Sequence, residues 1–397
     1  MPHPDAPGLD GFVDDPDAFL DGTLHQAMRR YEGGDPDTIA VADRLWDDAL
    51  TRGTRRPGFR LVRDGSTVDH VTYCRRAGLG HRTVDDVIQP NRVLELYDDG
   101  ATVVLQGLQL TDPHLARVAN NLALAVDQPV QVNAYLSPPS ARGLDLHVDL
   151  HDVFVLQLEG SKRWRLWEPL ERTLDAVRGG PPIAPPTLGE LGPPALDVMM
   201  RRGDVLYVPR GHPHCAETVA ESSAHLTVGI MVLTWQQAVR GAVEAAIAEG
   251  SWRTSVRFVS TAAPGPSVDD VAAVLRPHLD AAAVRRWLIG EVWRRQPATR
   301  LRPRRRPAVD LATPVVLTPG PLVWLQREER RCVLGLGDRR LTLPIEAHPF
   351  LAHLLTAAGP VAAVAVDGLD DASKRVVLDR LVAEGLLSPR SRTDDRP

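Results

Sequence analysis

The chain has 397 residues, 43% of them hydrophobic, and 46 basic against 51 acidic side chains give a net charge of −5. That length predicts more than one domain with a sizeable core, and the near balance of charge gives no global reason for a nucleic-acid or membrane partner. Three cysteines, Cys74, Cys215 and Cys332, lie far apart in sequence, which argues against a disulfide framework and for a reducing compartment. The start, MPHPDAPGLDGF, has neither a basic head nor an apolar run, and no window reaches 18 uninterrupted apolar residues. A soluble cytoplasmic protein is expected.

Residues 1–20 are rich in Asp, Pro and Gly and read as a loose arm. Helical patterns follow over Gly22–Tyr31 and Pro36–Arg52, completing an N-terminal helical region at 1–58. From Phe59 the pattern shifts to short strands: FRLVRDG, VDHVTY and ATVVLQGL. Thr111-Asp112-Pro113 predicts a helix start, and that helix stops at Gln128-Pro129. Strands then come in quick succession: VQVNAYL, LHVDLHDVFVLQLEG, KRWRLWEP, DVMM, DVLYVP, HCAETV and HLTVGIMVL. Glu159-Gly160-Ser161 and Arg202-Gly203-Asp204 read as hairpin turns, and 179–194 as an inserted proline-rich loop. Such a series predicts an all-β unit of jelly-roll type over 59–234.

Three helices are expected after Trp235, the second capped by Ser267, filling 235–296. An Arg- and Pro-rich linker at 297–310 leads to a small α+β domain at 311–397, with a hairpin around Gly335-Leu336-Gly337-Asp338 and helices at Ile345–Ala357 and Asp371–Glu384.

The chemistry concentrates in the β unit. Side chains i and i+2 of a strand share a face, so His147 and Asp149 project together. His214, expected at the start of a strand after Pro209-Arg210-Gly211, supplies a second imidazole. Two histidines and one carboxylate form the facial set that holds Fe(II) and leaves positions open. His151 and His212 compete for the same role: His151 shares the parity of Asp149 but would reach past the metal, and His212 sits in the turn before Pro213. Alone, H-x-D is a weak signal that a polar strand end also produces. Lys162 shares a face with Trp164 and Leu166, and a lysine buried there needs an anion. A dicarboxylate chelating the metal by one end would supply it, although a solvated lysine in SKR gives the same letters. Thr227 is a possible hydroxyl donor to that carboxylate or simple strand packing. Asn133 and Tyr135 form another i, i+2 pair that needs partners, a ligand among them.

Taken in order, NAYLSPP, HVDLHDVFVLQLEGSKRWRLW, GDVLYVPRGHPHCAE and HLTVGI resemble the JmjC-type cupin oxygenases of the ribosomal-oxygenase family. The resemblance implies a double-stranded β-helix core with a helical dimerisation module and a C-terminal winged-helix-like domain. It implies Fe(II) held by His147, Asp149 and His214. 2-Oxoglutarate would be held at its far end by Lys162 with Thr227 as helper, and Asn133 and Tyr135 would line the cosubstrate and substrate pocket. It also implies O₂ as co-reactant, hydroxylation of the β-carbon of an arginine or histidine in a ribosomal protein, and a homodimer. A hydroxylase of peptide natural-product precursors, a non-oxygenase metal-binding cupin, a ribosome-binding module and an N-methyl-lysine demethylase are the other readings. Gly229, two residues past Thr227, leaves no side chain where relatives may place a polar substrate contact.

Overall fold

The computed structural model describes residues 6–51, 55–180, 183–249, 272–273, 275–296, 309–318, 323–336, 339–357 and 359–389. Two units divide the chain, one of residues 9–108 and 126–292 and the other of 1–8, 109–125 and 293–397.

Among its described residues the first unit holds twelve strands: β1 (Arg29–Tyr31), β2 (Phe59–Arg63), β3 (Ser66–Thr67), β4 (Cys74–Leu79), β5 (Arg82–Ile88), β6 (Thr102–Leu105), β7 (Val130–Ser137), β8 (Asp152–Leu166), β9 (Leu196–Arg201), β10 (Val205–Val208), β11 (His214–Glu217) and β12 (Ser223–Ile230). Ten of them hydrogen-bond in the order β1-β10-β8-β12-β7-β6-β2-β3, with β9 and β11 added to β8 off this path, while β4 and β5 form their own ribbon. All these pairings are antiparallel.

The expected hairpin at Glu159-Gly160-Ser161 is absent. β8 runs unbroken for 15 residues. Its first half pairs with β10 and β12, and its second half with β9 and β11. Gly160, at φ +59°, lets the strand bend where it leaves one sheet for the other. A Cβ there would meet the Ser222 carbonyl oxygen at 1.9 Å, so the close approach requires glycine. Residues 152–158 are buried throughout, and the pattern then alternates, with Lys162, Trp164 and Leu166 inside. This is the double-sheet jelly roll expected from the strand series. Arg202-Gly203-Asp204 is a turn, but it also passes between sheets, because β9 and β10 pair with different halves of β8.

The N-terminal segment is no loose arm. Phe12 and Phe19 are buried and pack on Phe154 of β8, with ring centroids 5.2 and 5.3 Å apart. The expected helix over Gly22–Tyr31 gives way to β1, which pairs with β10. The apolar content of an otherwise Asp- and Pro-rich stretch is small, but each large ring is driven into the core. The next helical pattern divides into Pro36–Ile39 and Ala42–Leu50. Helix Trp235–Glu249 forms as expected and Ala281–Arg295 close to it, whereas the helix start at Ser267 and nearly all of the Arg- and Pro-rich linker lie outside the described residues. The inserted loop carries one short helix, Leu188–Leu191, and follows another, Glu171–Val177.

In the second unit, Asp112 caps helix Pro113–Val126 through the Leu115 amide at 2.9 Å. The tail holds β13 (Pro314–Leu317), β14 (Val323–Arg327), β15 (Arg331–Leu336), β16 (Arg339–Pro344), β17 (Val361–Ala362) and β18 (Leu387–Pro389). They form two three-stranded sheets, β17-β13-β18 and the meander β14-β15-β16. Helices Ala347–Thr356 and Asp371–Ala383 pack Phe350, Leu351, Leu378 and Leu381 into a core with Cys332 and Leu334.

Candidate metal and cosubstrate site

Two of the metal-ligand candidates sit just outside the strands, and the third, His214, opens β11. His147 and Asp149 precede β8, which begins only at Asp152, so strand parity does not orient them. A two-residue bridge does. His147 donates its amide to the His214 carbonyl at 3.1 Å, and His214 donates back to His147 at 3.0 Å. The Gly211 amide donates to the Asp149 carbonyl at 2.9 Å, tying the loop to the turn that leads into β11. Asp152, fully buried, accepts from the Arg210 amide at 2.8 Å and pairs with His25.

One donor atom from each of His147, Asp149 and His214 lies within 4.8 Å of the others. Nε2 of His147 and of His214 stand 3.9 and 3.7 Å from the Asp149 Oδ2. Each imidazole uses its other nitrogen on a main-chain carbonyl: His147 Nδ1 on Asp145 at 2.7 Å and His214 Nδ1 on His212 at 3.0 Å. Those bonds fix the tautomer that leaves Nε2 with its lone pair free, the form a metal needs. Burial, and then the neighbouring His147, push the His214 pKa down to about 4, so the ring is neutral. His212 contributes its carbonyl to this arrangement, and its ring stands outside the triad.

The triad lines a cavity of about 280 Å³ together with Lys162, Trp164, Tyr135, Asn133, Thr227 and His225. Cross-strand register explains the gathering. Arg60, Val104, Tyr135 and His225 are successive partners across β2, β6, β7 and β12, and Asn133 pairs with Thr227 one row on. Lys162 is buried, and its Nζ donates to Ser137 Oγ at 2.9 Å, with Thr102 Oγ1 a further 3.0 Å from that hydroxyl. No acidic partner faces it among the described residues, and burial pushes its pKa down to about 7. Trp164 Nε1 and His225 Nδ1, both buried, have no hydrogen-bond partner among the described residues. Burial, and then Lys162, hold His225 well below its ordinary value. A buried ammonium beside unpartnered donors fits a bound anion.

The structure gives the remaining candidates different surroundings. Thr227 and Arg60 line the same cavity as the Tyr135 hydroxyl, and both act to lower its pKa against the larger effect of burial, which raises it. The hydroxyl at Lys162 is Ser137, a residue the sequence reading passed over. Asn133 Oδ1 accepts from the Gly107 amide at 3.0 Å and from Gln131 Nε2 at 3.2 Å, so its carbonyl anchors a loop on the cavity wall. Tyr135 stacks on His225 with centroids 4.9 Å apart and planes 3° apart. His151 fills the space beside Gly229, where a Cβ would meet its ring at 2.9 Å. Arg60, Ser137 and His225 are the additions; His225 was signalled by lying two residues before Thr227 in one strand.

The JmjC domain family matches residues 106–238. Ribosomal oxygenase 1 of Gallus gallus is 33% identical over 215 residues, which cover 54% of this chain and 34% of that protein. A bifunctional lysine-specific demethylase and histidyl-hydroxylase NO66 of Aedes aegypti is 33% identical over 161 residues, 40% of this chain and 25% of that protein. The chain thus spans about a third or less of the length of these curated relatives. Among solved structures, the Escherichia coli ribosomal oxygenase YcfD superposes with a TM-score of 0.57 at 17% identity, covering 96% of this chain and 99% of that one. The same protein in complex with cobalt and 2-oxoglutarate gives 0.55 at 17% identity, with the same coverage. That likeness establishes the fold. Residues 106–238 thus match the JmjC domain family, and the chain is similar over that region to ribosomal oxygenases.

Proposed function

We propose that this chain is an Fe(II)- and 2-oxoglutarate-dependent oxygenase that hydroxylates a side-chain carbon of a protein, the β-carbon of an arginine or histidine in a ribosomal protein. The observation that carries the reading is the pairing of a three-donor metal set with a buried, carboxylate-free Lys162 in one cavity. The donor set suits the ion: two neutral imidazoles and one carboxylate bind Fe(II) and leave room for other ligands. His147 Nε2, the Asp149 carboxylate and His214 Nε2 would hold it, and together with 2-oxoglutarate and O₂ the ion supplies the oxidising power that places a hydroxyl on a C–H bond while the cosubstrate becomes succinate and CO₂. Lys162, with Ser137 beside it, binds the distal carboxylate. The buried Val153, Val155 and Trp164 wall this end from water and strengthen that ion pair. Tyr135, stacked on His225, and Thr227 line the same cavity.

Relatives named as ribosomal oxygenases and histidyl-hydroxylases support a protein target, and the bound 2-oxoglutarate in the YcfD structure supports the cosubstrate. We read the protein as cytoplasmic; no described helix is long and apolar enough to cross a membrane. Exposed Trp235, Val239 and Ile247 on one helix support a homodimer, which light scattering tests. The fold of the tail supports a winged-helix-like role in protein contacts. The deciding experiment is succinate formation by purified protein with Fe(II), ascorbate and 2-oxoglutarate, with and without small ribosomal proteins. Stimulation by one protein, with the gain of one oxygen in its mass, is expected. No turnover despite bound iron would return the chain to a non-oxygenase cupin.

A further inference from the structure

Beside the catalytic cavity lies a second groove of about 300 Å³, lined by Arg56, Phe59, Arg60, Thr67, Asp69, His70 and Tyr73 among others. Arg60 and Gln106 belong to both linings, so the groove begins where the cavity wall ends. Phe59 and Tyr73, buried with centroids 5.7 Å apart, form its rigid base.

The charges in this groove do not balance. Its one carboxylate, Asp69, is engaged locally: it accepts from the Val71 amide at 3.2 Å and faces His70 Nδ1 at 3.2 Å. Neither Arg56 nor Arg60 forms a direct ion pair among the described residues; Arg56 acts on Asp86 only at longer range, and that carboxylate is already bonded to Arg55. The Arg60 Nε is buried with no hydrogen-bond partner among the described residues. A guanidinium presents its donors as a planar fork that matches a carboxylate.

We propose that this groove receives an acidic side chain of the protein substrate close to the residue being oxidised, with Arg56 and Arg60 gripping its carboxylate. The inference rests on the oxygenase reading, in which Lys162 already takes the cosubstrate carboxylate and leaves Arg60 for another anion. An acidic peptide fits better than a nucleic-acid strand. The groove is short, and it leads into a cavity whose chemistry is directed at a side chain.

The test uses the full chain with Fe(II), 2-oxoglutarate and a library of short peptides, randomised around a central arginine or histidine. Hydroxylated members are sequenced by mass spectrometry. Asp and Glu should be enriched about tenfold at one fixed offset from the modified residue, the ratio expected for one charge-assisted contact. Arg56→Glu, an exposed change, should lower that enrichment or reverse it toward Lys and Arg, and Arg60→Glu should do so more strongly. If Arg60→Glu fails to fold, Arg56→Glu alone decides. Hydroxylation with no acidic preference, or a preference that survives both charge reversals, overturns the proposal while leaving the oxygenase reading intact. Loss of hydroxylation by competing oligouridylate, with no acidic preference among peptides, assigns the groove to nucleic acid and also overturns it. No hydroxylated peptide and no succinate would sink the oxygenase reading itself.

Discussion

Replacing Lys162 by Met tests the cosubstrate site most directly. The ammonium is buried, bonded among the described residues to Ser137 alone, and held at a pKa of about 7 by burial. A dianion selects the protonated form. Because the free-enzyme pKa is depressed, the ammonium is present below about pH 7 and is lost as pH rises past it. The apparent KM for 2-oxoglutarate should therefore be flat below about pH 7 and climb roughly tenfold per unit above it, until the pKa of the complex is reached. Truncating one partner of a buried charge pair costs about 2–4 kcal/mol, so Lys162→Met should raise that KM roughly 30- to 1000-fold at about pH 6.5. The variant should also lose the alkaline climb. Succinate formation against 2-oxoglutarate concentration, at several pH values, measures both. An unchanged KM, or a climb that persists without the lysine, would refute the assignment and move the carboxylate elsewhere.

Other outcomes follow from the same geometry. Asp149→Ala or His214→Ala should weaken Co(II) binding, followed by absorption, by more than the roughly 10- to 100-fold typical of losing an outer partner of a ligand. Asp152→Ala leaves the Arg210 amide and His25 without their buried acceptor, and urea unfolding should show a loss of about 3 kcal/mol. Gly160→Ala forces a Cβ into the Ser222 carbonyl at positive φ, and the same assay should show a loss of about 2 kcal/mol or more. Gly229→Ala displaces the His151 ring; substrate-stimulated turnover should fall severalfold, and equal turnover would remove His151 from the substrate pocket.

Much of this was legible in the letters. H-x-D and a distant histidine name a donor set whatever local structure carries them, which is why His147 and Asp149 were found although a bridge, and not a strand, holds them. Alternation made Lys162, Trp164 and Leu166 a buried face, as they are. The bend at Gly160 was misread because Glu-Gly-Ser looks the same whether a strand reverses or only changes sheets; which it does depends on strands remote in sequence. Phe12 and Phe19 were missed because two rings in a polar stretch carry no period. Arg60, Ser137 and His225 are single polar letters in apolar strands. Only the register across four strands brings Arg60 level with Tyr135 and His225.

The unbroken β8 acts as a ruler. One end abuts the metal-ligand loop, and Lys162 stands two residues past the bend. Inserting one residue between Asp152 and Lys162 would turn the lysine to the outer face, where Arg163 now meets Asp197. Inserting two would restore the face but shift the lysine by about 6–7 Å, more than a few carbon–carbon bonds. On the proposed cosubstrate reading, the length of the acid this cavity accepts is therefore written in a count of strand residues.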